Sequence, residues 1–403
     1  MIGGLPTMFG KGTIAGSLVL ILSLFAEACP PGSSWEWPEP VVLQLRRRPV
    51  ALLVEPVCDL PTTAGSDKFN CRARVVEVLH DSTGRWHKDE MINVALRSQS
   101  DEVSHWLVMG GYDPALPDWE TVTTVSPALI EFLKAAPDLE TDPEALVIHL
   151  IRHLEHGDPL VAEAAFAALE YGFPRPYITT LSAQSVATIL PRNKLRQWVL
   201  SPETRPNQLS LYGVILGLHG NDEDISLMEQ RIVETGGEEF RLGIDGVMAG
   251  YLVLTGERGL ATIDKTKFEN EKVPFSETYA ALQSLRFMWQ YGDGKIPAER
   301  LKQSMRLLLA RPVLADVVIA DLARWKDWAV LEEVMKLYGD PEFDIPAIKR
   351  AIIRYMFAAM KDVPKDAPET DPLPAHAAAA KKHLKTLRAK DPRRVKDVER
   401  FLR

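Results

Sequence analysis

The sequence predicts an α+β protein: a small N-terminal antiparallel β-barrel of OB type, followed by a larger all-α, HEAT-like helical array. Three observations predict it. Short β-type runs crowd Val41 to Val125. From Ser126 to about Met360 helical patterns dominate, broken by brief Gly, Pro and Asp turns. Thr141 to Gly172 writes one helical unit twice. Asp142-Pro143 opens the first helix and Gly157 closes it; Asp158-Pro159 opens the second and Gly172 closes it. Asp caps free helix N–H groups, Pro fits the first helical position, and Gly suits the exit.

Taken in order, Met1 to Ala28 reads as a secretory signal. Lys11 is a weak basic start, and Thr13 to Ala26 is apolar but short for a membrane span. Ala26-Glu27-Ala28 fits a signal-peptidase site and leaves Cys29 as the new N-terminus. An uncleaved anchor and a lipoprotein with Cys29 acylated are the alternatives. Each version exports the chain to periplasm, outer envelope or medium, where disulfides persist. The three cysteines, Cys29, Cys58 and Cys71, allow one bridge, Cys58–Cys71 or Cys29–Cys71.

Residues 29–125 form the β-domain. Val50–Val54, Ala73–Leu79, Met91–Leu96 and Trp106–Met109 are strand runs, separated by turn signals at Asp59-Leu60-Pro61, Ser82-Thr83-Gly84 and Gly110-Gly111. Trp35 and Trp37, in the Pro-rich stretch before them, are expected to pack on this domain. Residues 126–362 form the helical domain, with units at irregular intervals of roughly 30 to 45 residues, within the range of HEAT-type pairs. Each pair has one face that it cannot bury alone, so neighbours must stack. Asp362 to Pro374 is a Pro-rich linker, and 375–403 a basic, exposed helical tail.

The net charge is −8, and 25% of residues are charged. Nothing global points to nucleic acid, yet Pro374 to Arg403 holds ten Lys/Arg against three Asp/Glu. That tail suits contact with an anionic surface. Its one aromatic, Phe401, gives bases little to stack on.

His149, His153 and His156 share one helical face at i, i+4 and i+7, a spacing that could hold a metal ion. Val147, Leu150, Ile151 and Leu154 point the other way, which puts the histidines on the solvent side. Leu150 stands where a metalloprotease helix needs Glu. Asp321 and Arg324, at i and i+3 in an apolar segment, read as a structural ion pair. The glycines from Gly217 to Gly259 lack the strand-then-helix setting of a phosphate loop, and close packing and turns explain them better. No cofactor is expected.

Cys29-Pro30 followed by a small barrel with the run Arg74-Val75-Val76-Glu77-Val78-Leu79 resembles the netrin/tissue-inhibitor-of-metalloproteinase module over residues 29–125. The helical part, with Gly246 to Leu260 and Asp321-Leu322-Ala323-Arg324-Trp325, resembles a planctomycete-type family of secreted proteins. The first resemblance implies a protease inhibitor whose Cys29 amine and carbonyl would ligate a protease zinc. The array itself points to a non-enzymatic scaffold that binds a protein partner.

Overall fold

The computed structural model describes residues 40–57, 68–97, 105–110, 119–138, 141–171, 189–234, 241–364 and 372–402. The expected signal, Cys29, Trp35, Trp37, Cys58, the Asp59 turn, Gly172 and the centre of the Pro-rich linker lie outside them.

A helix, α1 (Val41–Arg47), opens the stretch read as β. Five strands follow: β1 (Val50–Pro56), β2 (Lys68–Asp81), β3 (Met91–Arg97), β4 (Trp106–Gly110) and β5 (Trp119–Thr124). They form one antiparallel sheet in the order β3-β2-β1-β4-β5. The edge strands β3 and β5 approach each other without sharing a ladder among the described residues. The sheet is thus a curled, partly open barrel, and its strand order is that of a five-stranded OB-type Greek key. Two register shifts in the β1–β2 ladder supply the bend.

Alternation decides what each face covers. Val50, Leu52, Val54, Val75, Val94, Trp106 and Val108 fill the barrel. Ala51, Leu53, Leu107 and Met109 point outward and join the helical core. That double burial explains the unbroken apolar run in β1. The sheet and the helices therefore share one continuous interior. Lys134 adds an ion pair to Glu77 on β2, at 2.6 Å.

The helices are α2 (Pro127–Ala135), α3 (Pro143–His153), α4 (Pro159–Tyr171), α5 (Arg192–Leu200), α6 (Pro206–His219), α7 (Asp222–Val233), α8 (Ile244–Thr255) and α9 (Glu257–Ile263). A π-turn, Asp264–Phe268, extends α9. Then come α10 (Phe275–Tyr291), α11 (Ala298–Leu307), α12 (Ala315–Arg324), α13 (Leu331–Leu337), α14 (Pro346–Lys361), α15 (Ala375–Lys390) and α16 (Pro392–Phe401). Caps form as the sequence predicts: Ser126 accepts from the Leu129 N–H, Asp142 from Ala145, and Asp158 from Leu160.

Alternate helices stack, as in an α-solenoid. Pro206, Ser210, Gly213 and Gly217 of α6 meet Gly243, Gly246, Val247 and Gly250 of α8 in the same direction, so the two run parallel. A Cβ on Gly217 would lie 2.1 Å from the Gly250 carbonyl oxygen. Only glycine permits that approach. The series continues through α10, α12 and α14. Thr278, Arg286 and Trp289 of α10 meet Arg311, Asp321 and Trp325 in ascending order.

The interval is more regular here than the sequence suggested. Arg241 pairs with Glu277, Arg300 with Asp264 and Lys326 with Asp362, each 36 residues apart. Gly220, Gly256 and Gly292, which end α6, α8 and α10, keep the same spacing.

The C-terminal tail differs from the expected exposed helix. Ala377, Ala380, Leu384 and Leu387 of α15 and Val395 and Val398 of α16 are buried, and α15 packs on α14. Its 3.6-residue period gives it one apolar stripe, which closes the open end of the array. The ends of the linker are fixed too: Asp362 accepts from Trp328 Nε1 at 2.7 Å, and its carbonyl oxygen lies 2.8 Å from His376 Nε2.

Candidate interaction surface

The array is held in register by buried acids, each met by cations of neighbouring segments. Asp321 is fully buried on α12. It accepts from Arg324 on its own helix at 2.8 Å, as the i, i+3 spacing predicts. It also accepts from Arg286 Nε on α10 at 2.7 Å, a partner that helical spacing could not reveal. Glu277 receives Arg241 through both oxygens at 2.6 Å and Lys267 at 2.7 Å. Burial pushes the Glu277 carboxyl up, but these hydrogen bonds prevail and hold it below its ordinary value. Lys267 is aimed inward by the π-turn, and its burial lowers its pKa. Arg306 grips Asp327 through two bonds of 2.7 and 2.8 Å, and Arg196 meets Asp224 at 2.5 Å. Such pairs fix geometry more than they add net stability, because desolvation offsets most of the attraction.

Two of the three histidines leave the solvated face. Phe132 of α2 covers them: its ring stacks on His149 at 4.7 Å, and His153 stands edge-on to it at 5.0 Å, whereas His156 lies past the end of α3 and is exposed. His149 Nε2 is 3.1 Å from the Phe132 carbonyl oxygen, and His153 Nδ1 is 2.7 Å from that of His149. His156 Nδ1 accepts from the Asp158 N–H. One nitrogen of each ring is thereby engaged with the backbone. Among the described residues no group of three or more His, Cys, Asp or Glu is placed to hold a metal ion. Burial, then His153, lowers the His149 pKa. This aromatic ladder joins α2 to α3. Cys71 is buried inside the barrel, while both possible partners lie outside the described residues.

An open polar cleft of about 420 Å³ lies between α7, α8 and α9, lined by Asp222, Ser226, Glu229, Tyr251, Arg258 and Thr262. Burial raises the Tyr251 pKa.

One edge of the array stands apart. Because the stacked helices run parallel, the turns entering α6, α8, α10, α12 and α14 all open on the same side. Between Arg192 and Lys361, the large apolar side chains left most exposed are Leu200, Val233, Leu242, Phe275, Val313 and Ile345. All six stand at those turns: Leu200 and Val233 close the helices leading in, and the others begin the helices leading out. Val313 is the most open, at 67%. The opposite edge carries the Gly220, Gly256 and Gly292 turns and none of these side chains. Exposed acids outnumber exposed cations along the apolar row, with Glu203, Glu234, Glu269, Glu271, Glu342 and Asp344 against Arg205 and Lys272. Sequence reading missed this edge. An apolar residue just before a helix ordinarily reads as a staple folded back on the first turn, as Phe275 in part is, its ring 5.7 Å from that of Tyr279, and only the parallel stacking shows that the six gather on one side.

No model of a known family matches the chain, and no curated protein matches it either.

Proposed function

We propose that the protein is an exported, non-enzymatic interaction protein, and that the edge at Leu242, Phe275, Val313 and Ile345 is its binding surface. The observation that carries this reading is the gathering of the exposed large apolar side chains between Arg192 and Lys361 on a single edge. Isolated exposed apolar residues are ordinary, but a contiguous row of them marks a contact site. The flanking acids select the partner's chemistry: a protein segment presenting apolar and cationic side chains together. The buried ion pairs support the role by keeping successive turns in line, which lowers the ordering cost of binding.

Photo-crosslinking tests this. A probe at Val313 in the producing cell should give a discrete protein adduct, and the same probe at Lys295 on the opposite edge should not. Equal labelling from both, or none from Val313, would remove the surface.

Export itself is part of the proposal and rests on the Met1–Ala28 pattern, as does one disulfide involving Cys71. The strand order of the barrel favours a second reading, inhibition of a metalloprotease through a free Cys29 amine. Adding one residue before Cys29 should abolish inhibition if that reading holds.

A further inference from the structure

The two helices that close the array bear a cationic outer surface that the binding edge does not use. With Ala377, Ala380, Leu384 and Leu387 turned inward, α15 presents Lys381, Lys382, Lys385 and Arg388 to solvent. With Val395 and Val398 turned inward, α16 presents Arg393, Lys396 and Arg400. Arg393, Lys396 and Arg400 stand at i, i+3 and i+7, opposite the buried valines. Few acids neutralise this surface. Glu399 sits 3.6 Å from Arg388, Asp391 pairs with Arg394, and Asp397 is exposed beside Lys396. At its end Phe401 is 80% exposed and Leu402 follows it, also exposed. The backing is firm. Tyr338 of α13 donates to Asp391 at 3.0 Å, and His383 meets Glu332 at 2.9 Å.

We propose that α15 and α16 form a docking face for an anionic lipid bilayer, which would hold the array at a membrane surface. A run of cations alone would be a solvated face. Two further features point to a bilayer. The cations are displayed on a packed helical pair, so little ordering entropy opposes their joint contact with a plane of headgroups. A bulky aromatic and a leucine also stand in water beside Arg400, where an interface would cover them. A single-stranded nucleic acid would call for aromatics among the cations, and the face has none besides Phe401. Attraction to an anionic leaflet amounts to about fivefold in partition per Lys or Arg near the surface, and it is screened by salt.

Co-sedimentation of the full chain with phosphatidylcholine vesicles, with and without phosphatidylglycerol, tests the proposal. The N-terminal stretch is the same in the wild type and the variants below, so the loss between them reads the cationic face. The prediction is at least tenfold stronger binding to the anionic vesicles, lost at high salt. The triple variant Lys382→Glu, Lys385→Glu, Lys396→Glu should abolish the difference, with an unchanged circular dichroism spectrum showing that it folds. Phe401→Ser, at constant charge, should weaken binding to anionic vesicles severalfold and leave binding to heparin unchanged. Equal binding to both vesicles, or an unaffected triple variant, would overturn the face as a docking site. Retention on heparin with no preference for anionic vesicles would overturn the bilayer as its occupant.

Discussion

Arg286 Nε on α10 lies 2.7 Å from Oδ2 of the buried Asp321 on α12, and Trp289, one turn further along α10, stacks on Trp325 at 4.3 Å with the rings 9° apart. One polar and one aromatic contact thus lock the same pair of helices at matching heights. Asp321→Ala would leave two guanidinium groups facing an apolar pocket and should cost about 3 kcal/mol, the scale for breaking a buried pair from one side. Arg324→Ala, on the more exposed partner, should cost less than about 1 kcal/mol. Urea unfolding of the two variants separates them; equal losses would contradict the ranking.

How far the sequence reached can be judged from the same residues. Asp321 and Arg324 are visible because one helical turn joins them. Arg286 is not, because its distance in sequence carries no local signal. The strand runs and the caps at Ser126, Asp142 and Asp158 were legible for the same reason: each depends on a few adjacent residues. The histidine face was misread at His149 and His153, because Phe132 reaches them from another helix. The segment Glu257–Phe268 escaped notice, since its π-turn departs from the 3.6-residue period. The apolar edge exists only once the helices stack in parallel.

Gly217→Ala should destabilise by about 1–3 kcal/mol, the range for overpacking, because the new Cβ would meet the Gly250 carbonyl oxygen at 2.1 Å. Gly157→Ala has nothing within 4 Å and should stay within about 0.5 kcal/mol. Thermal melts of both variants check this. Tolerance at Gly217 would mean that α6 and α8 do not cross as closely as described.

Glu277 gives a pH dependence of known sign. Its carboxyl is held below the ordinary value of 4.5 by Arg241 and Lys267. Its contribution is therefore present above that value and is lost as pH falls through the lowered one. Glu277→Gln should flatten the acid limb of the stability curve, in addition to lowering stability at neutral pH. A curve parallel to that of the wild type would show that Glu277 does not titrate with folding.

His149 acts in the same sense, from a higher pH. Burial lowers its pKa beneath 6.5, so the folded state takes up a proton less readily than the unfolded chain, and stability declines as pH falls below that value. His149→Phe keeps a ring against Phe132 and should remove this decline. The same helix should show no stoichiometric zinc in a dialysed sample, because His149 Nε2 and His153 Nδ1 sit on carbonyl oxygens. Retained zinc that vanishes in the triple alanine variant of His149, His153 and His156 would reverse that assignment.

The central claim is that the edge at Phe275 and Val313 binds a protein. The most direct measurement is the affinity of the partner crosslinked from Val313 for the wild-type chain and for the double variant Phe275→Asp, Val313→Asp. Charge placed in an apolar contact should weaken binding at least about tenfold, the scale of an interface hot spot, with the thermal melt unchanged because both side chains are exposed. An unaltered affinity in a folded double variant would contradict the account.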